Sequence, residues 1–154
     1  MLDVFRQRRA IRSFQPRQLK DDDLTAILAA ANSAPSAGGL SAREISVVTN
    51  QAIKRRLAAA AYGQNFVAEA PIVLVFWAVP PRSAAKYGER GKNLFALQDA
   101  TIAAAFAWLQ AVASGLGACW VGAFDDSAVK DIFRGDIEPG WLPVVLLPVG
   151  YAAE

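Results

Sequence analysis

The sequence predicts an α+β protein, in which helices and strands are mixed without a regular β-α-β alternation. Residues 71–79, PIVLVFWAV, form an unbroken apolar run of strand length, which is typical of a central strand covered on both faces. Residues 20–35 carry apolar side chains at helical spacing, and residues 94–116 are apolar on nearly all sides. Because 54% of the 154 residues are hydrophobic, we expect either a large core for one domain or apolar surface buried against a second copy.

Two helices are predicted near the N-terminus. Residues 2–10 are expected to form a short helix. The second helix begins in KDDD at 20–23, where three aspartates favour the positive end of the helix macrodipole, and Pro35 closes it. The PSAGGLSA segment over residues 35–42 is a loop by composition.

A strand and a further helix are predicted after this loop. In REISVVT, residues 43–49, the alternating side chains of Ile45 and Val47 are expected to face the core. Asn50 then stands where a helix N-cap is expected.

The second half of the chain is predicted to contain one long helix between shorter elements. Residues 80–91, PPRSAAKYGERG, are predicted to be a polar loop long enough to be functional. A fully buried helix over 94–114 explains the polar residues in this segment better than a membrane span does. A short strand, a helix capped by an aspartate and the last strand are expected over 118–123, 125–134 and 142–150.

The composition excludes several kinds of chemistry. The chain has no histidine, which excludes Ser-His-Asp and Cys-His nucleophilic schemes and histidine metal sites. The single cysteine, Cys119, excludes an intrachain disulfide framework and fits a reducing compartment. No P-loop, GxGxxG or signal peptide is evident, so we expect a cytoplasmic protein whose chemistry, if it is an enzyme, depends on a bound cofactor. A net charge of +2 argues against a nucleic-acid partner.

The stretch FRQRRAIRSF, residues 5–14, concentrates four arginines, Arg6, Arg8, Arg9 and Arg12. If the first helix continued to residue 13, three of these guanidinium groups would share one face, with Arg6 on its flank. Such a face suits a phosphate group. The alternative is a solvated basic face that pairs with surface carboxylates.

Two glycine-containing segments also allow both a structural and a ligand-binding interpretation. PSAGG at 35–39 is either an ordinary turn or a loop whose backbone approaches a flat ligand. GLGACWVGAF at 115–124 is either a strand after a helix stop or a second approach to such a ligand. Taken alone, neither segment decides between these interpretations.

Taken in order, five segments resemble the nitroreductase family of FMN-dependent oxidoreductases. They are RRAIRSF, APSAGG, GQNFVAEAPIVLVF, LQDATIAAAFAWLQAVASGLGACWVGAFDD and LPVVLLPVGY, and the resemblance runs from about residue 5 to 151. It implies a mostly antiparallel central sheet flanked by helices, and a homodimer with a long buried helix and two FMN molecules at its interface. We expect residues 1–154 to form one such domain, without the basic C-terminal extension that is common in relatives.

The same resemblance implies which residues bind FMN. Arg8, Arg9 and Arg12 would hold the phosphate, with Ala10 standing where relatives often have serine. The loop of Pro35, Ser36, Ala37, Gly38 and Gly39 would reach the flavin from the other subunit.

Two more segments would lie along the flavin ring. Gln64, with Asn65, would lie near the pyrimidine edge or the ribityl chain. Cys119, Trp120, Val121, Gly122 and Ala123 would follow the isoalloxazine, with the backbone N–H of Gly122 or Ala123 near N5. Tyr87, Lys86 and Arg90 are candidates for the mouth of the substrate site, or they form a solvated loop.

The implied function is hydride transfer from NADH or NADPH through FMN to a nitro, quinone or other small organic acceptor by a ping-pong mechanism. No catalytic side chain and no metal are expected, because the flavin N5 carries the chemistry. PSAGGL and KYGERG also look like the branch that includes azoline peptide dehydrogenases. A dehydrogenase without nicotinamide turnover, or a flavin-binding protein with little catalysis, therefore remains open.

Overall fold

The computed structural model describes residues 1–153. Its helices are α1 Asp3–Gln7, α2 Asp21–Ser33, α3 Gln51–Ala60, α4 Phe66–Glu69, α5 Pro80–Arg90, α6 Ala96–Ala113 and α7 Asp126–Ile132. A 3-10 turn, Ala37–Gly39, precedes the first strand, and a π-helical turn, Gly91–Phe95, joins α5 to α6. The strands are β1 Arg43–Val48, β2 Ile72–Ala78, β3 Gly117–Ala118 and β4 Leu142–Gly150.

The four strands form one sheet in the order β1-β2-β4-β3, and every neighbouring pair is antiparallel. All seven residues of β2 are buried, as expected for an apolar run with a paired strand on each side. One face of the sheet packs on α2 and α6, through side chains such as Ile27 and Ala103. The other face packs on α3 and α7, through Leu57 and Val129. The predicted α+β fold with a mostly antiparallel sheet is confirmed.

The long helix α6 has two unlike faces. Its inner face is a row of fully buried small residues, Ala96, Ala100, Ala103, Ala104, Ala107 and Ala111. Leu97 and Phe106 are each 37% exposed and, being nine residues apart, lie about 180° from one another on the two flanks of this inner face. The predicted long helix is thus confirmed, with one face in the core of the single chain, and burial of the rest against a second copy stays a prediction.

The helical run from Pro80 to Ala113, which non-helical backbone at Gly88 interrupts, contains a window long and apolar enough, by length and composition, to cross a membrane. Of that window 39% is buried inside the chain. The alanine face of α6 lies in the core beside β2 and β4, so core packing accounts for the apolar composition.

Three local predictions are wrong. The first helix ends at Gln7, short of the predicted residue 10 and of residue 13, to which a shared arginine face would require it to continue, and Arg8 is extended with φ −61° and ψ 121°. Val47, in the edge strand β1, is 41% exposed rather than inward. Residues 80–90 form α5 instead of a polar loop, with proline at the helix start, where its missing N–H costs nothing, and a break at Gly88, whose φ is 57° and ψ −138°.

The predicted helix caps are confirmed. Asn50 Oδ1 accepts a hydrogen bond from Ile53 N–H at 3.0 Å. Asp125 Oδ1 accepts one from Ala128 N–H at 3.0 Å. Each side chain satisfies one of the donors that a helix N-terminus leaves unpaired.

Candidate functional site

The N-terminal arginine segment lies directly beside the segment that follows α6. Ala10 forms a parallel bridge with Ala118, and Ile11 N–H donates to Ala118 O at 3.0 Å. A Cβ on Gly117 would lie 2.7 Å from Ile11 Cγ1, so only glycine permits this close approach. Two segments that are about a hundred residues apart in the chain are thereby joined.

Because this segment is extended, alternate side chains point to opposite sides. The Arg8 guanidinium lies over the Trp108 ring, 4.5 Å from its centroid, and Trp108 stacks with Trp120 at 6.3 Å. The Arg12 guanidinium lies near the Cys119 thiol. We call Arg8, Arg12, Trp108, Cys119 and Trp120 the arginine cluster.

The expectation that Arg9 joins the other arginines on one helical face is wrong, because the segment is not helical. Arg9 lines a groove on the opposite side of the segment, together with Ile11 and Leu116. Ala10 is exposed between the two arginines of the cluster.

The Cys119 thiol is buried within the cluster. Burial raises the pKa of this thiol, and the nearby Arg12 guanidinium opposes the rise through its charge and its hydrogen bond. The thiol is therefore held mainly in its neutral form.

Gln64 brings a third segment to the same region. Its Nε2 donates to Ala61 O at 2.9 Å and to Ala123 O at 3.2 Å. Val121 exchanges two backbone hydrogen bonds with Leu146, each 3.0 Å long. Gly122 and Ala123 are exposed at the end of this held segment. Asn65 is also exposed, at the start of α4, and its side chain makes no capping hydrogen bond.

The cations of the cluster have no acidic partner in the described part of the chain. The ion pairs found within residues 1–153 are Arg82 with Glu44 and Arg134 with Asp131, so none of the four N-terminal arginines is paired with a carboxylate there. The indole Nε1 of Trp108 is buried and has no hydrogen-bond partner. The arrangement therefore offers donors and positive charge to an anion, and the interpretation as a basic face that pairs with carboxylates is not supported.

The second predicted segment, Pro35–Gly39, lies elsewhere, and we call it the glycine loop. Ser36 Oγ accepts a hydrogen bond from Ser41 N–H at 2.9 Å. The carboxylate of Asp99, which is 2% exposed, accepts from Ala37 N–H at 3.1 Å and from Ala42 N–H at 3.0 Å. The loop is thus tied to α6 by one buried acid.

A buried arginine lies beneath the same loop. Arg43 is 5% exposed, and its guanidinium donates to Ala34 O at 2.6 Å, Pro35 O at 3.2 Å, Asp99 O at 3.2 Å and Asn32 O at 3.4 Å. Burial lowers the pKa of Arg43, and the charge of the Asp99 carboxylate opposes that shift.

Of the three predicted substrate residues, Lys86 and Tyr87 lie at the glycine loop, and Arg90 shares an aromatic neighbour with Tyr87. A Cβ on Gly38, whose φ is 61°, would lie 2.5 Å from the Tyr87 hydroxyl and 3.1 Å from Lys86 Nζ. Tyr87 packs edge-on against Phe95 at 5.1 Å, and the Arg90 guanidinium lies 5.5 Å from the centre of the same ring. They are presented by a helix rather than by the polar loop that the sequence predicts.

The arginine cluster and the glycine loop lie at opposite ends of α6. Asp99 and Trp108 are nine residues apart, which corresponds to about 13 Å along a helix axis. One chain therefore carries two separated groups of the predicted site residues.

Sequence reasoning missed three residues of these groups, Arg43, Asp99 and Trp108. Asp99 gives the clearest signal, because it is the one acid within the apolar helix α6. A carboxylate in such a helix must be satisfied by partners elsewhere in the chain.

Comparison with known proteins identifies relatives over nearly the whole chain. The model of the nitroreductase family matches residues 5–72 and 59–151. A protein of Methanocaldococcus jannaschii that carries a nitroreductase name is 35% identical over 107 residues, which cover 70% of this chain and 52% of that protein. The NADH dehydrogenase of Thermus thermophilus is 46% identical over 72 residues, which cover 47% of this chain and 35% of that protein. The matched segments thus span about half or less of these two relatives.

Solved structures share the fold. An FMN-dependent nitroreductase from Clostridium difficile R20291 superposes with a TM-score of 0.85 at 27% identity, and the match covers 100% of this chain and 88% of that one. A nitroreductase family protein from Clostridium novyi NT gives a TM-score of 0.87 at 25% identity, with 99% and 84% covered.

Proposed function

The chain belongs to the nitroreductase family, and from this premise we propose that it is an FMN-dependent oxidoreductase that works as a homodimer. In this proposal NADH or NADPH is the hydride donor, and a nitro compound, a quinone or another small organic molecule is the acceptor, the two binding in turn. Bound FMN would supply the redox chemistry, and the protein would supply binding, orientation and electrostatics. The observation that carries the proposal is the arginine cluster.

The residues of the cluster fit a phosphate-bearing aromatic cofactor. Arg8 and Arg12 are exposed cations on one side of an extended segment, and within residues 1–153 neither pairs with a carboxylate. Charge-assisted bonds from such groups to phosphate are among the stronger hydrogen bonds in proteins. Ala10, which lies between them, offers no hydroxyl, so in this proposal the two guanidinium groups carry the phosphate contact and Arg9 does not.

The segment Cys119–Ala123 would line one side of the cofactor. Val121 is fixed to β4 by its two backbone bonds to Leu146, and Gln64 holds the carbonyl of Ala123. The exposed backbone of Gly122 and Ala123 is thus presented on a rigid support. Such residues would orient the ring and keep water from that side, which is the protein's part in flavin chemistry.

A second copy of the chain would complete the site. The glycine loop lies at the far end of α6 from the arginine cluster, so the two would meet if they came from different subunits. The side of α6 that carries the exposed Phe106 supplies apolar surface for that contact. Tyr87, Lys86 and Arg90 would then border the site beside the loop and contact the small-molecule substrate.

We propose further that residues 1–154 act as a single domain located in the cytoplasm. The sheet has one core layer on each face, which supports one folding unit. The buried reduced Cys119 is compatible with a reducing compartment.

The first test is FMN binding, measured by quenching of flavin fluorescence. The variant with Arg8→Ala and Arg12→Ala should bind FMN at least about tenfold more weakly, because it loses two charge-assisted contacts. Arg9→Ala is the matched control. In this proposal Arg9 makes no contact with the phosphate, so this variant should bind FMN within about twofold of wild type. Unchanged FMN affinity in the double variant would contradict the assignment.

The second test separates the three functions that the family resemblance leaves open. Anaerobic mixing with NADH or NADPH should bleach the flavin absorbance, whereas a dehydrogenase without nicotinamide turnover would show no reduction. Steady-state turnover with menadione should exceed that of an equal concentration of free FMN. A turnover no higher than that of free FMN would identify a flavin-binding protein with little catalysis.

The third test addresses the homodimer. Phe106→Glu should shift the protein to monomer in sedimentation velocity and weaken FMN binding with it. Val47→Glu places the same charge on another exposed apolar position, at the sheet edge, and should leave both properties unchanged. A Phe106→Glu protein that stays dimeric would place the interface elsewhere.

A further inference from the structure

We propose that Arg43 is a positioning residue, which holds the glycine loop in the shape that completes the cofactor site of the other subunit. This inference rests on the proposed function. It concerns a residue that would contact neither cofactor nor substrate, and that acts through the loop above it.

The contacts of Arg43 reach three parts of the fold. Its guanidinium donates to the carbonyls of Asn32 and Ala34 at the end of α2, to Pro35 in the loop, and to Asp99 in α6. A planar guanidinium has five donors in a fixed fork, and four carbonyl oxygens occupy the space around it. A lysine has one donor atom and could not reach all of them.

The loop that Arg43 supports is conformationally demanding. Gly38 and Gly39 have φ angles of 61° and 67°, and Ser41 has a φ of 47°. Left-handed backbone at a non-glycine residue persists only where the surroundings determine it. Here Ser36 Oγ accepts from Ser41 N–H, and Arg82 Nη1 donates to Ser41 O at 2.8 Å. Arg43 anchors the entry of the loop, and these bonds anchor its exit.

The strand to which Arg43 belongs does not depend on its side chain. β1 pairs with β2 through its backbone over six residues, and Val48 packs into the core layer under α3. The Arg43 side chain makes its hydrogen bonds to the end of α2, the loop and α6 instead. Loss of the guanidinium should therefore change the loop more than the sheet.

The experiment compares two substitutions in the same strand. Arg43→Met keeps the length of the side chain and removes every donor, while Val48→Ala lowers stability from the opposite end of β1. FMN affinity, measured well below the unfolding transition, should fall at least tenfold in Arg43→Met and stay within twofold of wild type in Val48→Ala. Arg43→Lys, which retains charge and fewer donors, should fall between wild type and Arg43→Met.

A subunit-mixing experiment tests the direction of the effect. Arg43→Met protein is mixed and allowed to exchange with the protein carrying Arg8→Ala and Arg12→Ala. In a two-fold symmetric dimer, half of the randomly exchanged dimers would be mixed and each would contain one intact site, so about one quarter of all sites should recover wild-type FMN affinity. If the loop served the site of its own chain, no site would recover.

The outcomes separate this inference from the function on which it rests. Wild-type protein that binds no FMN would overturn the proposed function. Wild-type protein that binds FMN, with Arg43→Met binding as tightly as Val48→Ala, would overturn the role of Arg43 alone. If Arg43→Met fails to fold, the same comparison is made with Arg43→Lys, for which affinity equal to wild type counts against the proposal.

Discussion

The two ends of α6 show opposite ways of using arginine. At the C-terminal end, Arg8 and Arg12 are exposed and pair with no carboxylate within residues 1–153. At the N-terminal end, Arg43 is buried and satisfied by four backbone carbonyls. The first arrangement leaves donors available for a ligand, and the second uses them to shape the chain itself. Local density of positive charge in the sequence indicates only the first kind.

The largest expected effect comes from breaking the buried network at the N-terminal end of α6. Asp99→Ala leaves the backbone N–H groups of Ala37 and Ala42 without their acceptor and removes the negative charge beside Arg43. Removing one partner of a buried charged network costs about 3–5 kcal/mol, and urea unfolding would measure the loss. Asp126→Ala, an exposed acid in the first turn of α7, is the control and should change stability by less than about 0.5 kcal/mol.

The next effect concerns the support of the arginine cluster at the other end of α6. Gly117→Val would force side-chain atoms against Ile11, because even the Cβ of a residue at position 117 would lie only 2.7 Å from Ile11 Cγ1. Overpacking of this kind costs about 1–3 kcal/mol and should move the arginine segment, so FMN binding should weaken as well. In the control, Gly122→Ala, the new Cβ would lie 3.6 Å from its nearest neighbour. The urea concentration at the midpoint of unfolding should therefore equal that of wild type. Equal stability of the two variants would show that the segment 8–14 can shift freely.

A smaller effect should appear in the reactivity of Cys119. Since the Arg12 guanidinium lowers the pKa of this thiol against the effect of burial, Arg12→Ala should raise that pKa further. The midpoint of the pH–rate profile for alkylation by iodoacetamide should then move upward, because the thiolate is the reactive form. The midpoint reports ionisation rather than access to the thiol. Arg9→Ala should leave it unchanged, and a downward shift in Arg12→Ala would contradict the geometry.

The smallest effect is the dependence of stability on alkaline pH. Because burial raises the pKa of Cys119 in the folded chain, the unfolded chain releases this proton first as the pH rises above about 8.5. The free energy of unfolding should therefore fall there, by up to about 1.4 kcal/mol per pH unit. Cys119→Ala should flatten this fall relative to wild type. Lys54, whose pKa is lowered by burial, acts in the opposite direction and is present in both proteins.

Local signals allowed much of the fold to be predicted from the sequence. The run at 71–79 is a buried strand because nine apolar residues leave no polar face. Asn50 and Asp125 cap helices because their side chains reach donors three residues away. Such interactions involve residues only a few positions apart, so the local sequence is enough to predict them.

The candidate site depends on contacts between distant parts of the chain, and here sequence reasoning was weaker. Asp99 and Ala37 are 62 residues apart, and the bridge from Ala10 to Ala118 is longer still. The extended conformation of the arginine segment follows from that bridge and not from local propensity. For the same reason the separate position of Arg9 could not be read from its spacing.

The π-helical turn Gly91–Phe95 has a consequence for how substrate range could diversify. A π turn accommodates one residue more than the regular helix on either side of it. Deletion of a single codon there would restore regular helix and turn the segment before it, whose helix Gly88 already breaks with φ 57° and ψ −138°, by about 100° relative to α6. Tyr87 and Lys86 would leave the neighbourhood of Gly38, while the alanine face of α6 stayed in the core. A one-residue length change could thus remodel the entrance to the site without redesign of the scaffold.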